Sequence, residues 1–422
     1  MNYSPVIILF VVMLLIAVRR VGNVRLGIWL VMLIGALAVV VTNGISVQKA
    51  LGAINLEVLI FLFGMFIVGE SLVHSGYLYK ASFNIFKRVR GVDGLVLHML
   101  FVLGAASAVL MNDTVAIIGT PLALYFAERH GVSSRLLLLT VCFAITTGSV
   151  LSPIGNPQNL LIATHEGFGG TEPFGLFLKY LALPTIVNMF IAFFALKLFF
   201  RRDFHGAPLT APEELTINKG LAALSKASMI IVVLLILIKA ILPFAAPGLD
   251  FSLVYIAIGG AAPLLFFSEH RLTLLKSIDW RTLIFFAALF VLMQSVWDSG
   301  VMQEVMARLS VDTGGGTGST FFILAMSVIG SQILSNVPFV ALYLPAASGA
   351  DAAGYAALAA GSTIAGNLFI LGAASNVIVV QRAEQRGASL GFLDFAKVGV
   401  PLTAAQLLVH WGYFALVNRL WG

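Results

Sequence analysis

Long apolar runs dominate this chain, and two of them are cut in the middle by polar residues. A helix needs about 20 mostly apolar residues to cross a hydrocarbon core. Runs suited to this begin near Pro5, Leu26, Leu56, Leu136, Phe177, Ala227, Phe251, Leu283, Gly361 and Val398. Two further stretches, Leu95 to Ala127 and Phe321 to Ala347, are interrupted at Met111-Asn112-Asp113-Thr114 and at Ser335-Asn336-Val337-Pro338. Each half is too short to span comfortably, and irregular backbone at membrane depth must be buried in protein or line a cavity. The pattern predicts two re-entrant hairpins within an all-α polytopic membrane protein. Charged residues make up 10% of the chain, against about 25% in soluble domains.

Sliding the sequence against itself reveals a duplication. A shift of 224 places Leu59-Ile60-Phe61 on Leu283-Ile284-Phe285, Ser75-Gly76 on Ser299-Gly300, Ser107 on Ser331, Asn112 on Asn336 and Pro121 on Pro345. Beyond the hairpin the shift becomes 217, aligning Gly155 with Gly372, Asn159 with Asn376 and Pro184 with Pro401. Residues 1–200 and 227–422 then form two repeats, each of five transmembrane helices plus one hairpin, joined by a cytoplasmic linker at 201–226. An odd number of spans turns the second copy upside down relative to the first.

The basic residues test that inversion independently. With the N-terminus outside, 20 of the 25 Lys and Arg fall on the cytoplasmic side, and Lys49, Lys179, Lys239, Arg308 and Arg419 fall outside or near an outer span end. This satisfies the positive-inside rule and places both termini outside the cell membrane, the inner membrane where there are two. The net charge of +6 is spread between apolar runs, so it reads as topology in a lipid bilayer; no nucleic-acid partner is expected. The run Val6 to Val18 is followed, not preceded, by basic residues, the reverse of a signal peptide, and reads as a retained span. The single Cys142 excludes disulfide frameworks, and the seven scattered His show no ligand spacing, so no metal or other cofactor is expected beyond a coupling proton or sodium ion.

Inverted copies with interrupted segments in matching places are the signature of alternating-access transport. The breaks are Asn112-Asp113-Thr114, Ser335-Asn336, Gly155-Asn156-Pro157-Gln158-Asn159 and Gly372-Ala373-Ala374-Ser375-Asn376. Gly and Pro there break the helix, while Asn, Ser and Thr supply short neutral ligands. The substrate or ion candidates are Asn112, Thr114, Gly155, Asn156, Asn159, Ser335, Asn336, Gly372, Ser375 and Asn376; the bland alternative is that such residues bond neighbouring helices. Asp113 has Val337 as its counterpart and no basic residue within its hairpin. A carboxylate at mid-membrane costs about 2.5–3.5 kcal/mol on insertion scales and is functional by default. Asp113 is therefore the first coupling-ion candidate, with helix capping as its structural alternative. Glu70, opposite Gln294 and toward the end of its span, is a second, with an interfacial position as its alternative. Lys239, His410 and Asp298 lie near expected span ends, where snorkelling accounts for them.

These residues form a known pattern. The chain resembles the ion transporter superfamily, which joins arsenite permeases, divalent anion/sodium symporters and citrate transporters. Met111-Asn112-Asp113-Thr114 with Thr120-Pro121 is similar to the hairpin tip of the arsenite permease branch. Gly155-Asn156-Pro157-Gln158-Asn159 is similar to the Gly-Thr-Pro-Pro-Asn loop of the symporters, with Ser335-Asn336 and Ser375-Asn376 as second-copy equivalents. The resemblance implies a scaffold domain, a moving transport domain and often a homodimer. The symporters carry Ser-Asn-Thr at both tips, which this chain does not, so the resemblance does not extend to a two-sodium dicarboxylate mechanism.

The expected function is secondary active transport of a small oxyacid or anion, coupled to protons, with arsenite-type efflux as the first substrate. Alternatives are a sodium-coupled dicarboxylate, sulfate or phosphate symporter and a sodium/proton antiporter. An enzyme is not expected: Ser107 and Ser375 both lie in Gly-Ala-Ala-Ser, a tetrapeptide that close helix packing explains. The topology is testable in a Cys142→Ala background. Cys at Arg386 should react with an impermeant thiol reagent only from the cytoplasmic side, and Cys at Lys49 only from outside.

Overall fold

The computed structural model describes residues 2–18, 20–21, 24–25, 27–77, 80, 89, 91–165, 172–204, 218–246, 249, 251–301, 303–304, 317–347 and 350–421. Most of the expected linker, residues 205–217, lies outside the described residues, as do Arg19, Lys87, Arg88, Arg90 and Arg308.

The first half contains α1 (Ser4–Val18), α2 (Ile28–Val41), α3 (Val47–Ala53) and α4 (Leu56–His74). It continues with α5 (Gly91–Leu110), α6 (Asn112–His130), α7 (Ser134–Ser149), α8 (Pro157–Ala163) and α9 (Pro173–Phe199). The second half contains α10 (Lys219–Ala245), α11 (Val254–Phe267), α12 (Arg271–Ser277) and α13 (Trp280–Asp298). There follow α14 (Thr317–Leu334), α15 (Asn336–Tyr343), α16 (Ala352–Ile364), α17 (Ala374–Glu384) and α18 (Phe392–Trp421). Extended structure among the described residues is one antiparallel pair of two-residue strands, Arg20–Val21 with Val24–Arg25. The protein is thus all-α.

Helix ends recur at the sequence shifts. Both ends of α3 and α12, and both ends of α4 and α13, differ by 224 residues. The caps of α4 and α13 recur too: Asn55 Oδ1 accepts from the Val58 N–H at 3.1 Å, and Asp279 Oδ1 from the Thr282 N–H at 3.1 Å. Each removes one of the orphan donors of a helix start. Gly76 and Gly300, which follow the two helices, sit at φ 71° and 78°, a backbone region open to glycine.

Among the described residues six helices are long and apolar enough to cross a membrane: α4, α5, α9, α10 (over Lys219–Leu242), α13 and α18 (over Phe392–Leu420). The first hairpin corrects the expectation that each arm is too short, because α5 starts at Gly91 and gains four residues over the apolar run. Its junction with α6 is nevertheless buried, so the polar interruption lies inside protein. The runs expected from Leu136 and Gly361 are each two pieces: α7 then α8, and α16 then α17, separated by residues 150–156 and 365–373. His410 corrects a second expectation. It is fully buried well inside α18, so snorkelling does not describe it. Lys239 is also buried, its Nζ donating to the Phe251 carbonyl at 2.7 Å, whereas Asp298 pairs with Lys49 at 3.3 Å.

The halves interlock. α4 packs on α11 and α10, α13 packs on α2, α6 on α17, α15 on α8, and α9 on α18. Large apolar side chains left exposed on α1, α9, α10 and α18, such as Phe10, Phe194, Ile241 and Leu408, suit contact with hydrocarbon. α5 and α7 cross closely, where a Cβ added to Gly148 would lie 2.3 Å from the Gly104 backbone. Gly148→Ala must push these helices apart and should cost about 1–3 kcal/mol, read as a lower melting temperature in detergent. Gly412→Ala, with nothing within 4 Å of the new Cβ, should leave it unchanged.

Candidate functional site

Both hairpin tips turn through one strained residue. Met111 (φ 70°, ψ 142°) and Ser335 (φ 71°, ψ 157°) occupy a region nearly reserved for glycine, and they are related by the shift of 224. Such outliers cost about 1–3 kcal/mol each and gather at functional sites. Immediately after each, an Asn opens the next helix. The Asn112 N–H donates to the Gly155 carbonyl at 3.0 Å, and its side-chain amide donates to Ser375 Oγ at 3.4 Å. One tip therefore touches the broken span of its own half and that of the other half. Asn112 and Asn336 are each 6% exposed, and the Oδ1 atoms of both have no hydrogen-bond partner. Asn336 begins α15, which packs on α8. Ser335 itself is exposed, so the second tip offers Asn336 more than its serine.

The break in the first half is held closed by its own asparagines. Asn156 caps α8, its Oδ1 accepting from the Asn159 N–H at 2.9 Å, and its amide donates to Ser149 Oγ and Thr363 Oγ1 at 3.0 and 3.2 Å. The Asn159 amide donates to the Ser149 and Ser152 carbonyls at 3.1 and 3.0 Å. Its Oδ1 accepts from Thr363 Oγ1 at 3.1 Å. Asn156 and Asn159 thus spend their polar atoms on the loop.

The second half repeats this only in part, since Asn156 has Ala373 as its counterpart. The shift of 217 maps Asn159 to Asn376, Ser149 to Gly366 and Thr146 to Thr363. The Asn376 amide donates to the Gly366 carbonyl at 2.6 Å, as expected from that mapping. Thr146 also lies against Gly366, its Cγ2 3.2 Å from where a Cβ would stand. Yet Thr146 Oγ1 and Asn376 Oδ1, counterparts of the bonded Thr363–Asn159 pair, are both buried without partners. Beside them the Asn367 amide donates to Thr147 Oγ1 (3.1 Å) and Gln406 Oε1 (2.8 Å), and the Gln406 amide to Thr147 Oγ1 (3.0 Å). Gly372 lies close to the Ala365 carbonyl, to which Gln332 Nε2 donates at 2.6 Å.

The carboxylates differ. Asp113 is half-buried in the first turn of α6 and has no hydrogen bond or ion pair among the described residues. The cap of α6 is Met111, without a side-chain bond, so the capping alternative for Asp113 is not what the structure shows. Its neighbour Thr114 is buried against Gly69 of α4, where any Cβ would lie 2.8 Å from the Thr114 methyl. Glu70 follows Gly69 in α4 and lies 3.4 Å from His74. Thr146, Thr147, Thr363, Asn367, Gln332 and Gln406 were not singled out in sequence. The pairing of Thr146 with Thr363 at the shift of 217 was the available signal. Among the described residues no cluster of three His, Cys, Asp or Glu is placed to hold a metal ion.

The profile of the CitMHS citrate transporter family matches residues 7–360. The chain belongs to that family. It lies within the ion transporter superfamily. Family relatives include an uncharacterized transporter of Mycobacterium tuberculosis, 28% identical over 97% of each chain. Another is an uncharacterized transporter of Synechocystis, 25% identical over 89% of this chain and 90% of that one. The crystal structure of the YdaH transporter of Alcanivorax borkumensis shares the fold, with a TM-score of 0.61 at 15% identity over 99% of this chain and 97% of that one. A multi-pass membrane transporter is therefore established. Ser107 donates to the Ile145 carbonyl at 2.8 Å, and the His98 ring nitrogen meets the Gly94 carbonyl at 2.8 Å.

The asymmetry between halves is measurable. Thr363→Val deletes the hydroxyl that Asn156, Asn159 and Gln158 share and should cost about 1–3 kcal/mol, seen as a lower melting temperature. Thr146→Val removes an unpartnered hydroxyl and should be neutral or slightly stabilising in the same measurement.

Proposed function

We propose that this chain is a secondary active transporter that moves a small oxyacid or anion across the cytoplasmic membrane by alternating access. A proton is the coupling ion, and arsenite-type efflux is the first substrate. The observation that carries the reading is the unpartnered carboxylate of Asp113, next in the chain to Asn112, together with buried oxygens left unpaired at the tips and one break: Asn112 Oδ1, Asn336 Oδ1, Asn376 Oδ1 and Thr146 Oγ1. Buried polar atoms in a native protein are nearly always bonded, so this set suits a bound solute or ion. A neutral oxyacid meets no repulsion from Asp113, which is then free to carry the exchanged proton. The four oxygens with Thr114, Ser375 and the Gly155 backbone form the binding wall in this reading. Glu70 serves as a secondary charge at the span end.

In this reading residues 1–200 and 227–422 are inverted repeats with both termini outside, the 201–226 segment is a cytoplasmic linker, and a homodimer is the assembly. The family description supports a second substrate class, a carboxylate anion such as citrate. An anion would need Asp113 protonated or paired with a cation, which makes sodium or another cation the co-substrate.

Flux into liposomes holding the purified protein separates these. Arsenite, phosphate, sulfate, succinate and citrate are compared under an imposed proton or sodium gradient, with Asp113→Asn alongside. Proton-driven arsenite flux that falls at least tenfold in Asp113→Asn supports the first reading. Cation-driven citrate flux replaces it with the second, and sodium-driven proton movement without any anion makes the protein an antiporter.

A further inference from the structure

The register of α9 against α18 follows from side-chain contacts along both helices. Along α9, Lys197 pairs with Asp93, the Phe190 ring is tilted against Phe101 with centroids 5.0 Å apart, and Met189 Cε fills the space beside Gly104. Gly104 abuts Gly148 on α7, and the adjacent Thr147 hydroxyl accepts from Gln406 of α18 at 3.0 Å. Asn188 and Gln406 therefore lie at one depth. At another, Tyr180 meets Phe414 with centroids 6.1 Å apart, and Tyr413 Oη donates to the Lys179 carbonyl at 2.8 Å. Both helices travel eight residues between these depths, about 12 Å at 1.5 Å per residue. They run antiparallel, and Thr185 comes to the level of His410.

The residues on this seam are polar, buried and unpaired. His410, Asn188, Thr185 and Thr403 are each at most 3% exposed. Both His410 ring nitrogens, both Asn188 amide atoms and the two threonine hydroxyls lack partners. Pro184, in the same turn of α9 as Thr185, has no N–H and so frees the Tyr180 carbonyl beside them. The His410 ring lies nearly parallel to that of Phe414 with centroids 6.2 Å apart, and neither of its nitrogens has a hydrogen-bond partner. The seam leads inward past Gln406 and Thr403 to Asn367, whose Oδ1 is likewise unpaired.

We propose that the α9–α18 seam is a binding pocket for small neutral hydrogen-bonding molecules, water first, running from His410 to the Asn367–Thr147–Gln406 cluster. Groups that face one seam without bonding each other are what bridging water joins, and a buried water typically meets about three such groups. A neutral imidazole, donor on one nitrogen and acceptor on the other, fits at the end of such a file. The pocket gives the second break its own hydration, separate from the hairpin tips, whatever solute the protein carries.

Thiol reactivity tests this because only a hydrated cysteine ionises to the reactive thiolate. In full-length Cys142→Ala protein, Thr185→Cys and Thr403→Cys are treated with methyl methanethiosulfonate. The references are Arg386→Cys, exposed, and Leu138→Cys, fully buried among apolar side chains. Seam cysteines reacting within tenfold of Arg386→Cys support the pocket; rates as slow as Leu138→Cys, at least a hundredfold lower, overturn it. Cryo-electron microscopy of the unsubstituted protein decides independently of whether the variants fold. Solvent density bonded to His410 and Asn188 supports the pocket, and a dry seam with these groups bonded to one another overturns it.

Discussion

The architecture depends on satisfying broken backbone where there is no water. Inside a bilayer an unpaired N–H or C=O costs several kcal/mol, so a helix can stop at mid-depth only where protein groups meet the freed atoms. The bond from the Asn112 N–H to the Gly155 carbonyl does this for a hairpin tip and a broken span at once. The side chains of Asn156, Asn159 and Asn376 do it for the carbonyls and amides around the breaks. The glycines at the breaks follow from the same constraint: side chains at Gly155 or Gly372 would strike the Ser149 or Ala365 backbone.

The two halves apply one plan with different completeness. In the first break every polar atom of Asn159 is used, and in the second the equivalent threonine and asparagine oxygens stay unpaired although both adjoin Gly366. The strained Met111 and Ser335, by contrast, match to within one degree in φ. Strain is thus shared equally by the tips, while hydrogen-bond satisfaction is concentrated on one side. In the proposed mechanism, one settled and one unsettled wall suit two arrangements of similar energy, which alternating access requires.

Much of this was legible in the residues. Polar interruptions in apolar runs located both tips and both breaks, because few other reasons exist for Asn and Pro at such depth. Matched Asn, Ser and Pro gave shifts at which helix ends and caps recur. The arms of the first hairpin were read too short because the polar-looking segment from Gly91 to Gly94 extends α5 beyond its apolar core. His410 was misplaced because distance from an expected span end says nothing about which side of a helix faces its neighbours.

The sequence by itself determined that the chain is membrane-embedded and helical, where its helices break, and which carboxylate stands alone among neutral residues. These follow from local composition and from the cost of exposing backbone to hydrocarbon, which act wherever the segment lies in the fold. Only the tertiary structure decided which asparagines hold loops and which keep an oxygen free, that Asn112 meets Ser375 from the other half, and that His410 and Asn188 share a seam. The bonds from Asn112 to Ser375 and from Thr363 to Asn159 join residues more than two hundred positions apart, and no local pattern encodes such a pairing.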